Sequence, residues 1–79
     1  MHVQVFLSAT LRVLVPGYDP AAGRQVELAD GAAVGEICRS LSIPAEKVKI
    51  VMVNGRNAEL ADRLTGGERV ALFPPVGGG

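Results

Sequence analysis

The sequence of 79 residues has very few of the side chains from which catalytic and metal sites are built. It contains one cysteine, Cys38, and one histidine, His2. One cysteine allows no internal disulfide, and these two residues cannot supply a zinc ligand set, a Cys–His pair or a Ser–His–Asp triad. A glycine-rich loop followed by Lys and Ser or Thr, which would cradle phosphates, is also missing. We therefore expect no metal or nucleotide cofactor on this chain, and a reducing, cytoplasmic environment.

An excess of charge of one sign and long apolar runs are absent as well. Eight basic residues balance eight acidic ones, so the formal net charge is zero. Without a basic stripe interleaved with aromatic residues, the sequence argues against a nucleic-acid partner. The apolar stretches are as short as strands, which predicts neither a membrane span nor a signal peptide. The acidic residues are scattered among bases, a pattern typical of a solvated surface: Asp19, Glu27, Asp30, Glu36, Glu46, Glu59, Asp62 and Glu68.

The composition is that of one small globular domain. Hydrophobic residues make up 48% of the chain and charged residues 20%. A chain of this length can build little more than one sheet covered by one helix. This size argues against an enzyme with several sites.

The most distinctive stretch is the C-terminus, which reads F-P-P-V-G-G-G over residues 73–79. Proline cannot donate to a sheet ladder, so a strand that runs into Phe73 must stop there. At roughly 3.1 Å per residue, residues 74–79 can reach about 19 Å from the sheet. Three glycines keep the end thin enough for a narrow channel, where the α-carboxylate is the only chemical group delivered. The sequence thus predicts a domain over residues 1–75 and a flexible tail over residues 76–79, although a frayed end or a leftover linker has the same composition.

The first third of the chain predicts a hairpin with a long connection. Residues 1–7 alternate between apolar and other side chains, with Val3, Val5 and Leu7 on one face and His2, Gln4 and Phe6 on the other. Residues 24–28 alternate in the same way. The apolar run over residues 11–15 is followed by a stretch rich in Pro and Gly, which favours an extended loop between the two strands.

The middle of the chain predicts the one convincing helix. Val34, Ile37, Cys38 and Leu41 have the spacing of an apolar helical stripe, so we expect Cys38 to be buried and inert. The start of the helix is poorly marked, because Ala33 stands where Ser or Thr would cap it, which leaves Asp30 as another cap. Pro44 ends the helix, and residues 45–47 are predicted to form one tight turn.

The last third predicts a strand, a short return strand after a tight turn, and a last strand. Residues 48–53 are rich in β-branched side chains and lead into Asn54-Gly55, which favours a tight hairpin turn. Both faces of this run are apolar, so we expect both to be covered, and the inward face stays undecided. Residues 69–73 form the last strand. The order of elements predicts an α+β fold of the β-grasp type: a mixed sheet on one main helix, with the first and last strands central.

With these features the chain resembles the ubiquitin-like sulfur-carrier family, which includes MoaD and ThiS. The lead-in Phe73-Pro74-Pro75-Val76 is most similar to the MoaD branch, the small subunits of molybdopterin synthase. Two features depart from the family pattern, namely the long segment 15–24 and the additional Gly77. The resemblance rests on Phe6, Leu11, Arg12, residues 30–34, Glu36, Ile37, residues 53–55, Leu64, residues 67–68, residues 70–76, Gly78 and Gly79.

The resemblance implies a carrier that acts with partner enzymes and is not itself an enzyme. An adenylating enzyme similar to MoeB or ThiF would use ATP and magnesium to activate Gly79, and a sulfur donor would then leave a thiocarboxylate there. The tail glycines Gly77 and Gly78 would reach into the partner. A large subunit similar to MoaE, or another acceptor enzyme, would receive the sulfur.

The outer face of the sheet is the expected surface for these partners, because exposed apolar patches on small proteins mark contact sites. The residues predicted to bind partners are Phe6, Phe73, Pro74, Pro75 and Val76. As an alternative, Phe6 or Phe73 packs under the long loop. At the level of function, the alternatives are a carrier for thiamine or another thiolation pathway, a ubiquitin-like modifier joined to lysines through Gly79, and an interaction module with an inert tail.

Overall fold

The computed structural model describes residues 1–75, in which five strands form one mixed sheet. The strands are β1 (His2–Leu7), β2 (Arg24–Glu27), β3 (Ile50–Val53), β4 (Arg56–Ala58) and β5 (Arg69–Phe73). Their order in the sheet is β2-β1-β5-β3-β4. One α-helix, α1 (Gly35–Leu41), accompanies two 3-10 helices at Ala9–Leu14 and Ala45–Lys47. The predicted turn at residues 45–47 is thus confirmed.

The first and last strands lie inside the sheet, as predicted. β1 and β5 run parallel with Val5 opposite Val70 and Leu7 opposite Leu72. β2 pairs antiparallel with β1, and β3 pairs antiparallel with β5. β5 therefore has a strand on each side, and its C-terminus lies in the middle of the sheet, between β1 and β3.

The hydrophobic core lies between the inner face of the sheet and α1. The predicted alternation is confirmed, because Val3, Val5 and Leu7 of β1 are buried while His2 is exposed. The inner face continues across Val70 and Leu72 of β5 and Val51 of β3, and from the helix side Val34, Ile37 and Cys38 complete this cluster. Cys38 is buried, as predicted, and burial raises the pKa of its thiol.

The long connection between β1 and β2 closes the free edge of β1. Its apolar run does not extend the strand but forms the 3-10 helix Ala9–Leu14, which buries Leu11. β2 stops opposite Val5, so Leu7 has no strand on that side. Instead the backbone N–H of Leu7 donates to the Tyr18 hydroxyl at 2.7 Å, and Arg12 Nε donates to the Leu7 carbonyl at 2.9 Å. Side chains thus satisfy a strand end that would otherwise expose unpaired backbone groups.

Both caps predicted for the start of α1 are wrong. The capping residue is Val34, whose side chain makes no capping hydrogen bond, so the predictions of Ala33 and Asp30 are wrong. The N–H of Val34 donates to the carbonyl of Asp62 at 2.9 Å, and the N–H of Gly35 donates to that of Leu60 at 2.9 Å. The link after β4 therefore satisfies these amides with backbone carbonyls, which the sequence near the helix could not show.

The β3–β4 hairpin is as predicted, whereas the burial of β3 is not. Asn54 and Gly55 both have positive φ, at 51° and 81°, as the tight hairpin turn requires. Val51 is buried, but its neighbour Ile50 is 42% exposed. The expectation that both faces are covered is therefore wrong. Within residues 1–75 the chain has one main helix, which packs on the inner face.

Among residues 1–75, no helix has the length and apolar character needed to cross a membrane.

Glu68 is buried, so its predicted place on the solvated surface is wrong. Its carboxylate accepts hydrogen bonds from the Thr65 amide at 2.7 Å, the Thr65 hydroxyl at 2.9 Å and the Gly66 amide at 2.6 Å. Burial alone would raise the pKa of this carboxyl, but these hydrogen bonds outweigh it and hold the pKa below its usual range. The ionised side chain thus holds together the turn that leads into β5.

Replacing Glu68 with Gln is expected to lower the free energy of unfolding by about 1–3 kcal/mol at neutral pH, because the amide offers one acceptor oxygen where the carboxylate offers two. The pKa of Glu68 is lowered by folding. Its contribution is therefore complete above the unfolded pKa of about 4.3 and is lost as the pH falls through the folded value. Urea unfolding at several pH values measures both effects. Glu46→Gln, at an exposed position, is the control. Equal stability of the two variants would contradict this role of Glu68.

Gly23 permits a close approach between the long loop and β1. A Cβ at this position would lie 2.7 Å from the Val5 carbonyl oxygen and 2.9 Å from Cε2 of Phe6, whereas one at Gly17 would meet nothing within 4 Å. The φ angles are alike, at 74° and 77°. Gly23→Ala is therefore expected to cost about 1–3 kcal/mol more than Gly17→Ala, because only the first variant overpacks. Thermal unfolding compares the two variants, and equal losses would mean that the loop can move away from Phe6.

Candidate functional site

The candidate site begins where β5 ends. Ile50 and Phe73 form the last pair of the β3–β5 ladder, and the Phe73 carbonyl accepts a hydrogen bond from the Lys49 amide at 2.8 Å. Pro74 follows directly and is half-buried, and Pro75 is exposed. The strand therefore ends at Phe73, as predicted from the two prolines.

The remaining predicted site residues lie outside the described residues. These are Val76 and the glycines Gly77, Gly78 and Gly79. The structure establishes where the chain enters this segment, at the centre of one end of the sheet.

Apolar side chains cover the outer face of the sheet next to this exit, and we call them the outer patch. In one row Phe6, Ala71 and Met52 lie on neighbouring strands. In the next row Phe73 lies beside Ile50. Each of the five is half-buried or exposed. The structure thus brings the predicted Phe6 and Phe73 to one face, and their role in binding partners stays a prediction.

Phe6 is held on two sides by its own chain. The guanidinium carbon of Arg69 lies 4.2 Å from the centroid of the ring, which is the geometry of a cation–π contact. The edge of the ring lies close to the backbone of Gly23 in the long loop. The alternative that Phe6 packs against the loop is thus partly confirmed, and the ring nevertheless stays half-exposed on the outer face.

Sequence reasoning did not single out Ala71, and it left open whether Ile50 and Met52 or Val51 and Val53 face outward in this patch. Ile50 and Met52 face outward while Val51 faces inward. The sequence carries no signal for this choice, because both sets are apolar and the charged Lys49 has the same parity as the buried Val51.

Basic residues border the exit of the chain on both sides of β5. On one side Lys49, which is exposed, follows the exposed Lys47. On the other side Arg12 binds the carbonyl of Leu7, which lies opposite Leu72. The exposed Glu46 directly precedes Lys47, so charges of both signs lie along this segment.

Among the described residues 1–75, no group of three or more His, Cys, Asp or Glu side chains is placed to hold a metal ion. His2 is exposed, with Nε2 3.5 Å from Oε1 of Glu27. A groove of about 610 Å³ lies beside the start of α1 and is lined by residues of both charges, including Arg39, Glu36 and Arg63. The chemistry of the chain is therefore expected at the tail, outside this framework.

Comparison with solved structures supports the fold and points to carriers and modifiers. Small archaeal modifier protein 1 from Haloferax volcanii is 28% identical, with a TM-score of 0.71, over 95% of this chain and 98% of that chain. A Pyrococcus furiosus protein assigned as molybdopterin converting factor, subunit 1, is 28% identical with a TM-score of 0.71, over 96% and 99% of the two chains. A second Haloferax volcanii protein is 27% identical with a TM-score of 0.76, over 100% and 87%. The predicted ubiquitin-like β-grasp fold is confirmed.

No protein among the curated sequences matches the chain significantly. The model of the ThiS family, in contrast, matches residues 7–79, which include the glycine tail and every residue of the outer patch except Phe6. By sequence and by fold, the chain belongs to the ThiS family of ubiquitin-like sulfur carriers.

Proposed function

We propose that the chain is a sulfur carrier in which the C-terminal Gly79 is adenylated and then converted to a thiocarboxylate, most directly for the synthesis of molybdopterin in the cytoplasm. Members of this family work with adenylating enzymes and acceptor enzymes. In this proposal the chain supplies the reacting carboxylate and a surface for its partners, and the partners supply the catalysis.

The observation that carries the proposal is the position of the last described residues. β5 has strands on both sides, so the chain leaves the sheet from its central strand. The last ladder bond lies at Phe73, and two prolines prevent further pairing. The segment after Pro75 ends in three glycines, which suit a partner's narrow active site.

The chemistry follows from the properties of a carboxylate. The α-carboxyl pKa is near 3.5, so the group is ionised at neutral pH and is a poor acyl electrophile. A partner similar to MoeB or ThiF would join it to AMP, releasing pyrophosphate from ATP with magnesium bound to the partner. A sulfur donor would then displace AMP and leave a thiocarboxylate. The sulfur is a good nucleophile that would form a bond to the acceptor, and water would then hydrolyse the acyl–sulfur bond and regenerate the carboxylate.

The choice of pathway rests on the residues before the glycines. The lead-in Phe73-Pro74-Pro75-Val76 is similar to that of the molybdopterin synthase small subunits, and one similar structure carries a molybdopterin assignment. The acceptor in this proposal is accordingly a pterin phosphate held by a MoaE-like large subunit. Thiamine synthesis or another thiolation pathway would use the same chemistry at Gly79.

A modifier is the second candidate function, favoured by the similarity to small archaeal modifier protein 1. In that case the activated Gly79 would be attacked by a lysine amine and would form an isopeptide bond. Both candidates share the adenylation step and differ in the nucleophile that follows. Conjugates of higher mass on immunoblots of cells would favour the modifier.

The identity of Gly79 as the reacting residue gives the direct test of the proposal. Removing Gly79, or adding one residue after it, would displace the acyl carbon by up to about 3.5 Å, and a misplacement of about 1 Å can already cost on the order of a hundredfold in rate. We expect thiolation to slow by at least about a hundredfold, with an unchanged melting temperature because the core and the sheet are complete within residues 1–75. Intact-protein mass spectrometry after incubation with the adenylating enzyme, ATP, magnesium and a sulfur donor measures the replacement of oxygen by sulfur.

A control insertion changes the length of the chain without changing its C-terminus. One glycine inserted after Gly17, in the exposed part of the long loop, is expected to leave thiolation as in the wild type. The proposal is wrong if the chain extended beyond Gly79 is thiolated as fast as the wild type, or if the wild type is never thiolated.

The outer patch is expected to anchor the partners. Phe73→Ala should weaken binding to the adenylating enzyme by about 2 kcal/mol, in the range of an aromatic interface anchor, and should lower thermal stability less. Titration calorimetry measures the binding, and Gln25→Ala, on β2 of the same sheet, is the matched control. Normal binding by the folded fraction of an unstable Phe73→Ala variant would show that Phe73 belongs to the core.

A further inference from the structure

Arg69 lies at the boundary between the apolar and the polar half of the outer face. In register it is opposite Gln4, one row before Phe6 and Ala71 of the outer patch. The rows further from the exit carry polar side chains on β1 and β2, ending with His2 beside Glu27. A partner that covers the outer patch would therefore meet Arg69 at the margin of the contact.

Arg69 contacts its own chain through both its backbone and its side chain. Its backbone N–H donates to Oδ1 of Asn54 at 2.9 Å, and its carbonyl accepts from the Asn54 amide at 2.8 Å. The guanidinium carbon lies 4.2 Å from the centroid of the Phe6 ring. The residue as a whole is exposed. An arginine fixed by a turn and an aromatic ring loses less conformational entropy on binding than a free side chain.

The charges around Arg69 leave this cation without a carboxylate from its own face. The register places one acidic residue at the outward positions of the five strands. This residue is Glu27, which lies beside His2 at the far edge of the sheet. The ion pairs found within residues 1–75 involve Met1 with Asp30 and His2 with Glu27. A cation at the margin of a contact attracts an acidic group on the partner and repels a basic one.

We propose that Arg69 is a specificity-determining residue that recognises a carboxylate on the adenylating enzyme at the margin of the outer patch. This inference rests on the proposed function, since it assigns one contact of the same partner. Complementary charges at the margin of an interface chiefly raise the association rate and exclude partners of the wrong charge. The outer patch would supply most of the affinity, and Arg69 would select the partner.

A simpler role for Arg69 is to shield the Phe6 ring from water. The two roles differ in their dependence on charge and salt. Shielding would be lost to the same extent in Arg69→Gln and Arg69→Glu, and it would respond little to ionic strength. Recognition of a carboxylate requires that Arg69→Glu be worse than Arg69→Gln, and that Arg69→Lys keep most of the effect.

The experiment measures association and dissociation rates between the full chain and the enzyme that adenylates the wild type, at about 0.05 M and about 0.5 M salt. At the lower salt concentration we expect Arg69→Gln to bind a few-fold more weakly than the wild type. Arg69→Glu should bind more weakly by about tenfold or more, and both losses should come mainly from slower association. The difference between wild type and Arg69→Glu should shrink at the higher concentration. Arg39→Glu, an exposed residue on α1, is the matched control and is expected to bind like the wild type. Melting temperatures check that each variant is folded.

A charge swap gives the decisive result. Replacing the enzyme's contacting acidic residue with arginine should weaken binding of the wild type and restore binding of Arg69→Glu. The inference is overturned if Arg69→Glu binds like the wild type while Phe73→Ala binds weakly, and the proposed function then stands. It is also overturned if Arg69→Gln and Arg69→Glu lose equally at both salt concentrations. If no adenylating enzyme acts on the wild type, the proposed function fails and this inference with it.

Discussion

The parallel pairing of the first strand with the last is the interaction on which the rest of the structure depends. A parallel pair needs a crossover, and the chain between β1 and β5 supplies it with a hairpin, α1 and a second hairpin. Because β3 pairs with the other side of β5, the last strand lies inside the sheet. Its C-terminal end lies midway between the two edge strands. Pro74 and Pro75 then end the ladder at the C-terminal end of this central strand. A tail leaving an edge strand would have support from the body on one side only.

The two faces of the sheet divide structure from recognition. The inner face and α1 bury the core, all of whose described members lie within residues 1–75. The outer face has no second layer among these residues, and Phe6, Phe73 and their neighbours stay partly exposed there. An apolar surface next to a glycine tail suits a protein that is held by several partners in turn, because each can grip the same patch while the tail reaches its own active site. The long loop limits this surface by closing the edge of β1 with Tyr18 and by packing Gly23 against Phe6.

Much of this fold could be predicted because local signals were strong. The alternation in β1 and β5, the helical stripe from Val34 to Leu41 and the turn residues Asn54-Gly55 each fix one element, and the prolines fix where the last strand ends. The misses have different causes. The start of α1 depends on distant contacts, because the amides of Val34 and Gly35 donate to the backbone carbonyls of Asp62 and Leu60, 28 and 25 residues further along the chain. Glu68 is buried by a turn whose amides its carboxylate needs. The outward face of β3 could not be read because both of its faces are apolar, and Arg69 went unnoticed because its contact with Phe6 crosses from β5 to β1.

The central claim is that this chain carries sulfur on Gly79 and returns to its free form. The most direct measurement follows the chain after loading with isotopically labelled sulfur and incubation with an extract of cells that lack the endogenous carrier. The account predicts that the label leaves the chain for a small molecule or an acceptor enzyme, while intact-mass spectra show the chain regenerated with its original carboxylate. Label that is released while the chain accumulates in covalent conjugates through an isopeptide bond at Gly79 would contradict it and establish a modifier instead.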